Sequence, residues 1–251
     1  MPRSANLPQS LTQETYERLR AAILTCRLPP GERISISYLC ERWEVSPGAV
    51  REALSRLTSE GLVIAEPQRG FRAAPISAED LRNLTLARSE IEVLCLKSAI
   101  KAGDINWEGR MLAAYHTVSR ISPRSTNDSE MLNEAYAEAH RLFHDALVAG
   151  CDNPVLLRIR EQLYAQSERY QRLSMKLVRY DREVEEEHRN LVEAAIARDE
   201  ARAVSLLRKH VEEILEMLVG SLKQYNELQR APVKSRVKSD VTGAVAMQRK
   251  N

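Results

Sequence analysis

Apolar positions recur three and four residues apart along most of the chain, a spacing that predicts a mainly helical molecule. Over 11–26, Leu11, Tyr16, Leu19, Ile23 and Cys26 fall on one side of a helix, with Thr12 placed to cap it and Glu14 in its first turn. Leu28-Pro29-Pro30-Gly31 breaks that run. A short second helix is expected from Ser35 or Ser37 to Trp43. A third follows, with Ser46 as N-cap and Pro47 at its first position, and Gly61 stops it after about Glu60. Val50, Ala53, Leu54 and Leu57 form its buried stripe. The pattern then changes: Leu62 to Ala65 and Gly70 to Ala73 are short apolar runs around Pro67-Gln68-Arg69-Gly70, which predicts a two-stranded wing.

Helical spacing resumes after Pro75, with Ser77 opening a second domain. Helices are expected near 78–102, 105–122, 128–149, 154–179, 181–198 and 200–227, separated by Gly103-Asp104, Ser122 to Ser125, Gly150 to Pro154 and Arg198-Asp199. The expected fold is therefore mainly α. An N-terminal winged helix-turn-helix over 10–75 precedes an all-α antiparallel bundle over 76–229. Residues 1–9 and the basic tail 230–251 are expected to be disordered.

Composition supports helix over sheet: only 5% of the 251 residues are aromatic, and the long stretches are rich in Ala, Leu, Glu and Arg. No apolar run is long enough to cross a bilayer and the N-terminus has no signal-peptide core, so a cytoplasmic protein without membrane contact is expected. Cys26, Cys40, Cys95 and Cys151 lack C-x-x-C spacing and are expected to be small core residues rather than a disulfide framework or thiolate site. The overall charge of +2 hides a division. Residues 1–76 carry 10 basic and 8 acidic side chains, 77–229 carry 21 and 26, and 230–251 carry 6 and 1. The middle section is a poor polyanion binder, and the first section needs a local patch to be one.

Helix, short turn, helix and wing is the layout that sets a second helix into a DNA major groove. On the third helix Ser46, Gly48, Ala49, Arg51, Ser55 and Arg56 lie on or near exposed faces. Arg51 is the first candidate, because its guanidinium can fork onto guanine or clamp a phosphate. Arg69, beside Gly70 at the wing tip, can reach a neighbouring groove. The competing readings pair Arg51 with Glu52 or Glu41 and leave Arg69 as a solvated turn residue. The run from Leu39 to Phe71, with its V-S turn, V-R-E-A-L-x-x-L, E-G-L-V and P-x-R-G wing, resembles the winged helix of GntR-family bacterial transcription regulators. It departs at Pro47-Gly48, where the family commonly has an arginine directly after the serine, which shifts contact onto Arg51, Arg56 and Arg69.

All five histidines lie in the helical C-terminal part, four of them at spacings that could bring them together. His140 and His144 share one helix face, about 6 Å apart along its axis. His188 and His210 stand at similar distances, about 15 Å, on either side of the Arg198-Asp199 turn, so antiparallel packing sets them at one height. Convergence of all four would suit zinc, nickel, copper, iron or manganese; the alternative is a surface pair without a metal. Glu187 projects elsewhere on its helix, and His116 lacks a partner at useful spacing and is expected to be structural.

The bundle resembles the FCD ligand-sensing domain of FadR-like GntR regulators, on His140-Arg141-Leu142-Phe143-His144, Glu187-His188 and His210. That resemblance implies a divalent metal held by these histidines, with His140 standing where the family has an aspartate. It also implies that Arg88 faces an effector carboxylate, although Arg88 can equally pair with Glu92. The segment from His140 to Cys151 is similar to the carbon-starvation-induced repressor subgroup, associated with glutarate and γ-aminobutyrate metabolism. The expectation is a homodimeric, non-enzymatic regulator, most simply a repressor, that reads palindromic double-stranded operator DNA under control of a small carboxylate. Its rivals are a regulator that senses the ion itself and a histidine–metal enzyme; no nucleophile triad, phosphate loop or placed general base supports the last.

Overall fold

A computed structural model describes residues 11–124, 133–175 and 184–230. The first domain is built from α1 (Leu11–Leu24), β1 (Arg33–Ile34), α2 (Ile36–Trp43), α3 (Pro47–Ser59), β2 (Val63–Glu66) and β3 (Gly70–Ala73). The second comprises α4 (Ala78–Ala102), α5 (Ile105–Ser119), α6 (Glu134–Val148), α7 (Pro154–Met175), α8 (Val184–Ile196) and α9 (Glu200–Arg230).

Capping follows the local chemistry. Ser35 is extended and accepts from Tyr38 N, so it rather than Ser37 starts α2, and Ser46 accepts from Ala49 N ahead of Pro47 at the start of α3. Glu44 in a left-handed conformation closes α2. Val50, Ala53, Leu54 and Leu57 are completely buried against Leu19, Ile23 and Leu39. The wing is three-stranded rather than two-stranded, in the order β1-β3-β2, because Arg33 and Ile34 pair antiparallel with Arg72 and Phe71.

Helix limits also differ from expectation. The first helix ends at Leu24, since Cys26 adopts a positive φ of 55°, and Leu11 is exposed rather than on the buried stripe. The third helix of the second domain starts at Glu134, where the Asn133 side chain accepts from Ala135 N and its backbone is extended; the expected start at 128 lies outside the described residues. The helix before it stops at Ser119. The last helix runs to Arg230, past the expected end at 227 and onto the first residue of the expected tail; the expected end at 179, the start at 181, residues 1–9 and 231–251 lie outside the described residues.

In the second domain α4 packs against α6, α7 and α9, and α5 against α6 and α8. Trp107, Met111, Phe143, Leu147, Leu191 and Leu207 are among the core side chains. Arg198, at φ 57°, makes the sharp turn that folds α9 back along α8. Cys95 and Cys151 are buried and Cys26 and Cys40 half-buried, all four as free thiols.

The junction between domains is held by α7. Arg169 Nη1 donates to Ala74 O at 2.8 Å, Tyr170 Oη donates to Asp80 at 2.5 Å, and Glu168 lies 4.0 Å from Arg20 of α1. Gly61, at φ +73°, lies against Gln166; a Cβ there would stand 2.7 Å from its Nε2. The 74–78 linker is therefore pinned: Ala74 is buried, and Ser77 caps α4 by accepting from Asp80 N.

Candidate DNA-reading surface and metal centre

The N-terminal half of α3 is open. Ser46, Gly48 and Arg51 are exposed, and Arg51 makes no ion pair among the described residues, neither with Glu52 nor with Glu41. Gly48 has only Ser46 Oγ near the place of a side chain, at 3.8 Å, so the fold does not require glycine there and the backbone is bare to an approaching duplex. Arg69 is exposed at the wing tip, between Gln68 at φ 59° and Gly70 at φ 89°.

Two of the expected contact residues do not lie on the open face. Ala49 is 8% exposed, because it lies one turn before Ala53 on the packed face, and it offers no side chain to DNA. Arg56 is turned back onto α1: its Nη1 donates to Gln13 Oε1 at 2.8 Å and its guanidinium sits 3.8 Å above the Tyr16 ring.

The histidines converge. His140 and His144 come from α6, His188 from α8 and His210 from α9; all are buried, and one ring nitrogen from each lies within 4.8 Å of the others. The Nε2 atoms of His140 and His144 are 3.3 Å apart, as the one-turn spacing on α6 allows. Burial, followed by the neighbouring histidines and Arg88, holds His144 well below the ordinary imidazole pKa. Such surroundings favour the neutral imidazole, the form that donates a lone pair to a metal. His144 Nδ1 is buried without a hydrogen bond. Four buried imidazoles at this spacing fit a divalent transition ion. His116 is exposed near the end of α5 and does not join them.

Glu187 does take part, contrary to the expectation that it points away. Its Oε2 lies 2.7 Å from His210 Nδ1, so it orients that ring and leaves Nε2 to face the cluster. One helix position separates it from His188, and α9 packs on that side. A cavity of about 560 Å³ reaches His188, walled by Tyr115, Tyr136, Arg120 and Arg189. Arg88 is 4% exposed and close enough to weigh on His144; its Nε is 3.3 Å from Glu92, so the position beside the histidines and the Glu92 pairing hold together.

The family model for the FCD domain matches residues 83–213, and that for bacterial regulatory proteins of the gntR family matches 11–72. The chain belongs to the GntR family. This GntR regulator is 40% identical to the HTH-type transcriptional regulator BphR of Paraburkholderia xenovorans, over 84% of the chain and 86% of that protein. It is 34% identical to the HTH-type transcriptional repressor GlaR of Escherichia coli, over 78% of the chain and 90% of GlaR. Escherichia coli McbR/YncC shares the fold with a TM-score of 0.70 at 22% identity, covering 86% of this chain and 99% of that one. These families and relatives are transcription regulators and not enzymes, and the GntR helix-turn-helix binds DNA. No helix among the described residues is long and apolar enough to cross a membrane.

Proposed function

We propose that this protein is a homodimeric transcription repressor whose operator affinity is set by a small carboxylate bound at a metal in the FCD domain. The observation that carries the reading is the buried convergence of His140, His144, His188 and His210 beside Arg88. A divalent ion held by these histidines supplies a Lewis-acid anchor for one carboxylate. Arg88 supplies a second charge contact, which favours a dicarboxylate such as glutarate, in keeping with the resemblance of the segment from His140 to Cys151 to the carbon-starvation-induced repressor subgroup. Arg51 and Arg69 contact the operator, and a two-fold dimer doubles that contact on a palindrome.

One observation favours a second reading, in which the ion itself is the signal. The four histidines offer four ring nitrogens, which would satisfy an ion that takes four ligands without room for an acid, whereas an ion that takes more would keep a place for one. Thermal unfolding with succinate, glutarate and adipate, each with and without a chelator, separates the two. Metal-dependent stabilisation by an acid supports the carboxylate sensor, since a ligand selective for the native state raises its stability. Stabilisation by metal alone, with no response to any acid, supports ion sensing.

A further inference from the structure

One helical turn beyond Arg88 lies a buried carboxylate shared by two arginines. Glu92 is 1% exposed; Arg88 Nε stands 3.3 Å from one of its oxygens and Arg160 Nε, on α7, 2.8 Å from the other. Burial alone would raise the Glu92 carboxyl, but the Arg160 and Arg88 charges outweigh it and hold the group below the usual carboxylate range. Both guanidiniums lie over the buried Tyr164 ring, at 4.8 and 5.7 Å. Their attachments are unequal. Arg160 has a second ion pair, Nη1 to Asp145 at 2.6 Å, whereas Arg88 has the longer bond to Glu92 and no other ion pair among the described residues.

We propose that Glu92 is a resident competitor of the effector: it occupies Arg88 in the ligand-free protein, and an incoming carboxylate displaces it, leaving Glu92 to Arg160. This rests on the reading of Arg88 as the effector's contact. The exchange conserves charge at every station. One carboxylate replaces another on Arg88, so its guanidinium is never left bare, and Glu92 keeps a guanidinium partner throughout. The cost of displacing Glu92 sets how tightly an acid binds and rejects ligands that bring no anion to that end.

The exchange is also felt outside the pocket. Arg160 sits on α7, whose later residues hold the winged helix through Gln166 at Gly61, Glu168 near Arg20 and Arg169 at Ala74. A change in the hold of Glu92 on Arg160 is thus imposed on the helix that positions the DNA-binding domain.

Calorimetric titration of glutarate into zinc-loaded, full-length wild type, Glu92→Gln and Glu92→Asp tests this, with thermal unfolding of each chain as the check on folding. Gln keeps an oxygen for Arg160 and frees Arg88, so glutarate should bind at least about tenfold more tightly, a gain that pocket damage does not produce. Asp keeps the charge but retracts it by one methylene, so binding should tighten several-fold; if Glu92→Gln does not fold, this variant decides. Tightening in Glu92→Gln with Glu92→Asp unchanged marks simple relief of negative charge and overturns competition for Arg88. Equal or weaker binding in both variants, with wild type binding, overturns the competition alone. No binding by any of the three overturns the carboxylate-sensor reading together with the competition.

Discussion

Glu187 Oε2 lies 2.7 Å from His210 Nδ1, and through that contact a residue outside the histidine cluster decides how one of its members is presented. The contact selects the tautomer whose Nε2 lone pair points inward and raises its basicity. Glu187→Ala should therefore weaken zinc binding about 10- to 100-fold while leaving the four histidines in place. Titration against a coloured chelator measures it; unchanged affinity would reduce Glu187 to a surface partner of His210.

The metal-free protein should lose stability as pH falls below about 6.5. His144 is buried and faces His140, His210, His188 and Arg88, all of which oppose its protonation, so its folded pKa lies well below the unfolded value. A depressed folded pKa means that the unfolded chain takes up the proton first. Its contribution is whole above about pH 6.5 and declines at about 1.4 kcal/mol per pH unit for each histidine so held, until the folded pKa is reached. Melting temperatures of chelator-treated protein from pH 8 to 5 check this, and a flat profile would mean that the histidines protonate freely in the folded state.

Arg51 and Arg56, five residues apart on α3, should separate function from stability. Arg51 is exposed and makes no ion pair among the described residues, so Arg51→Ala should leave the melting temperature unchanged and weaken operator binding by about 1–3 kcal/mol. Arg56 is spent on Gln13 and Tyr16, so Arg56→Ala should cost about 1 kcal/mol of stability and affect the operator little. Fluorescence anisotropy on an operator fragment and thermal unfolding distinguish them; a reversed pattern would mean that Arg56 leaves Tyr16 on binding DNA.

What the sequence discloses is set by how far apart the interacting residues are. The α3 stripe, the His140–His144 pair and the similar reach of His188 and His210 from the Arg198-Asp199 turn all follow from helical period and one turn, and all are found in place. Arg33–Ile34 is too short to show a period, so β1 is visible only through its pairing with β3. Helical projection puts Ala49 and Arg56 near a surface, but the packing of α1 and α3 decides which part of that surface is covered. The Glu92–Arg160 pair spans 68 positions, and nothing local in either helix announces it.

Arg169 offers the sharpest test of how the pocket reaches the operator. It is 4% exposed, its Nη1 donates to Ala74 O at 2.8 Å, and its charge lies 3.7 Å from Asp80 at the start of α4. It thus ties the linker and the first turn of α4 to α7, far from the histidines in sequence. Arg169→Met keeps most of the buried stem but removes both polar ties. The variant should bind zinc and glutarate like wild type while glutarate loses most of its effect on operator affinity, an effect that for coupled sites is commonly 5- to 150-fold. Measuring operator affinity with and without glutarate, beside the glutarate titration itself, isolates the coupling. If glutarate releases the variant from DNA as well as it releases wild type, the signal travels along α4 alone and the α7 tie only fastens the domains together.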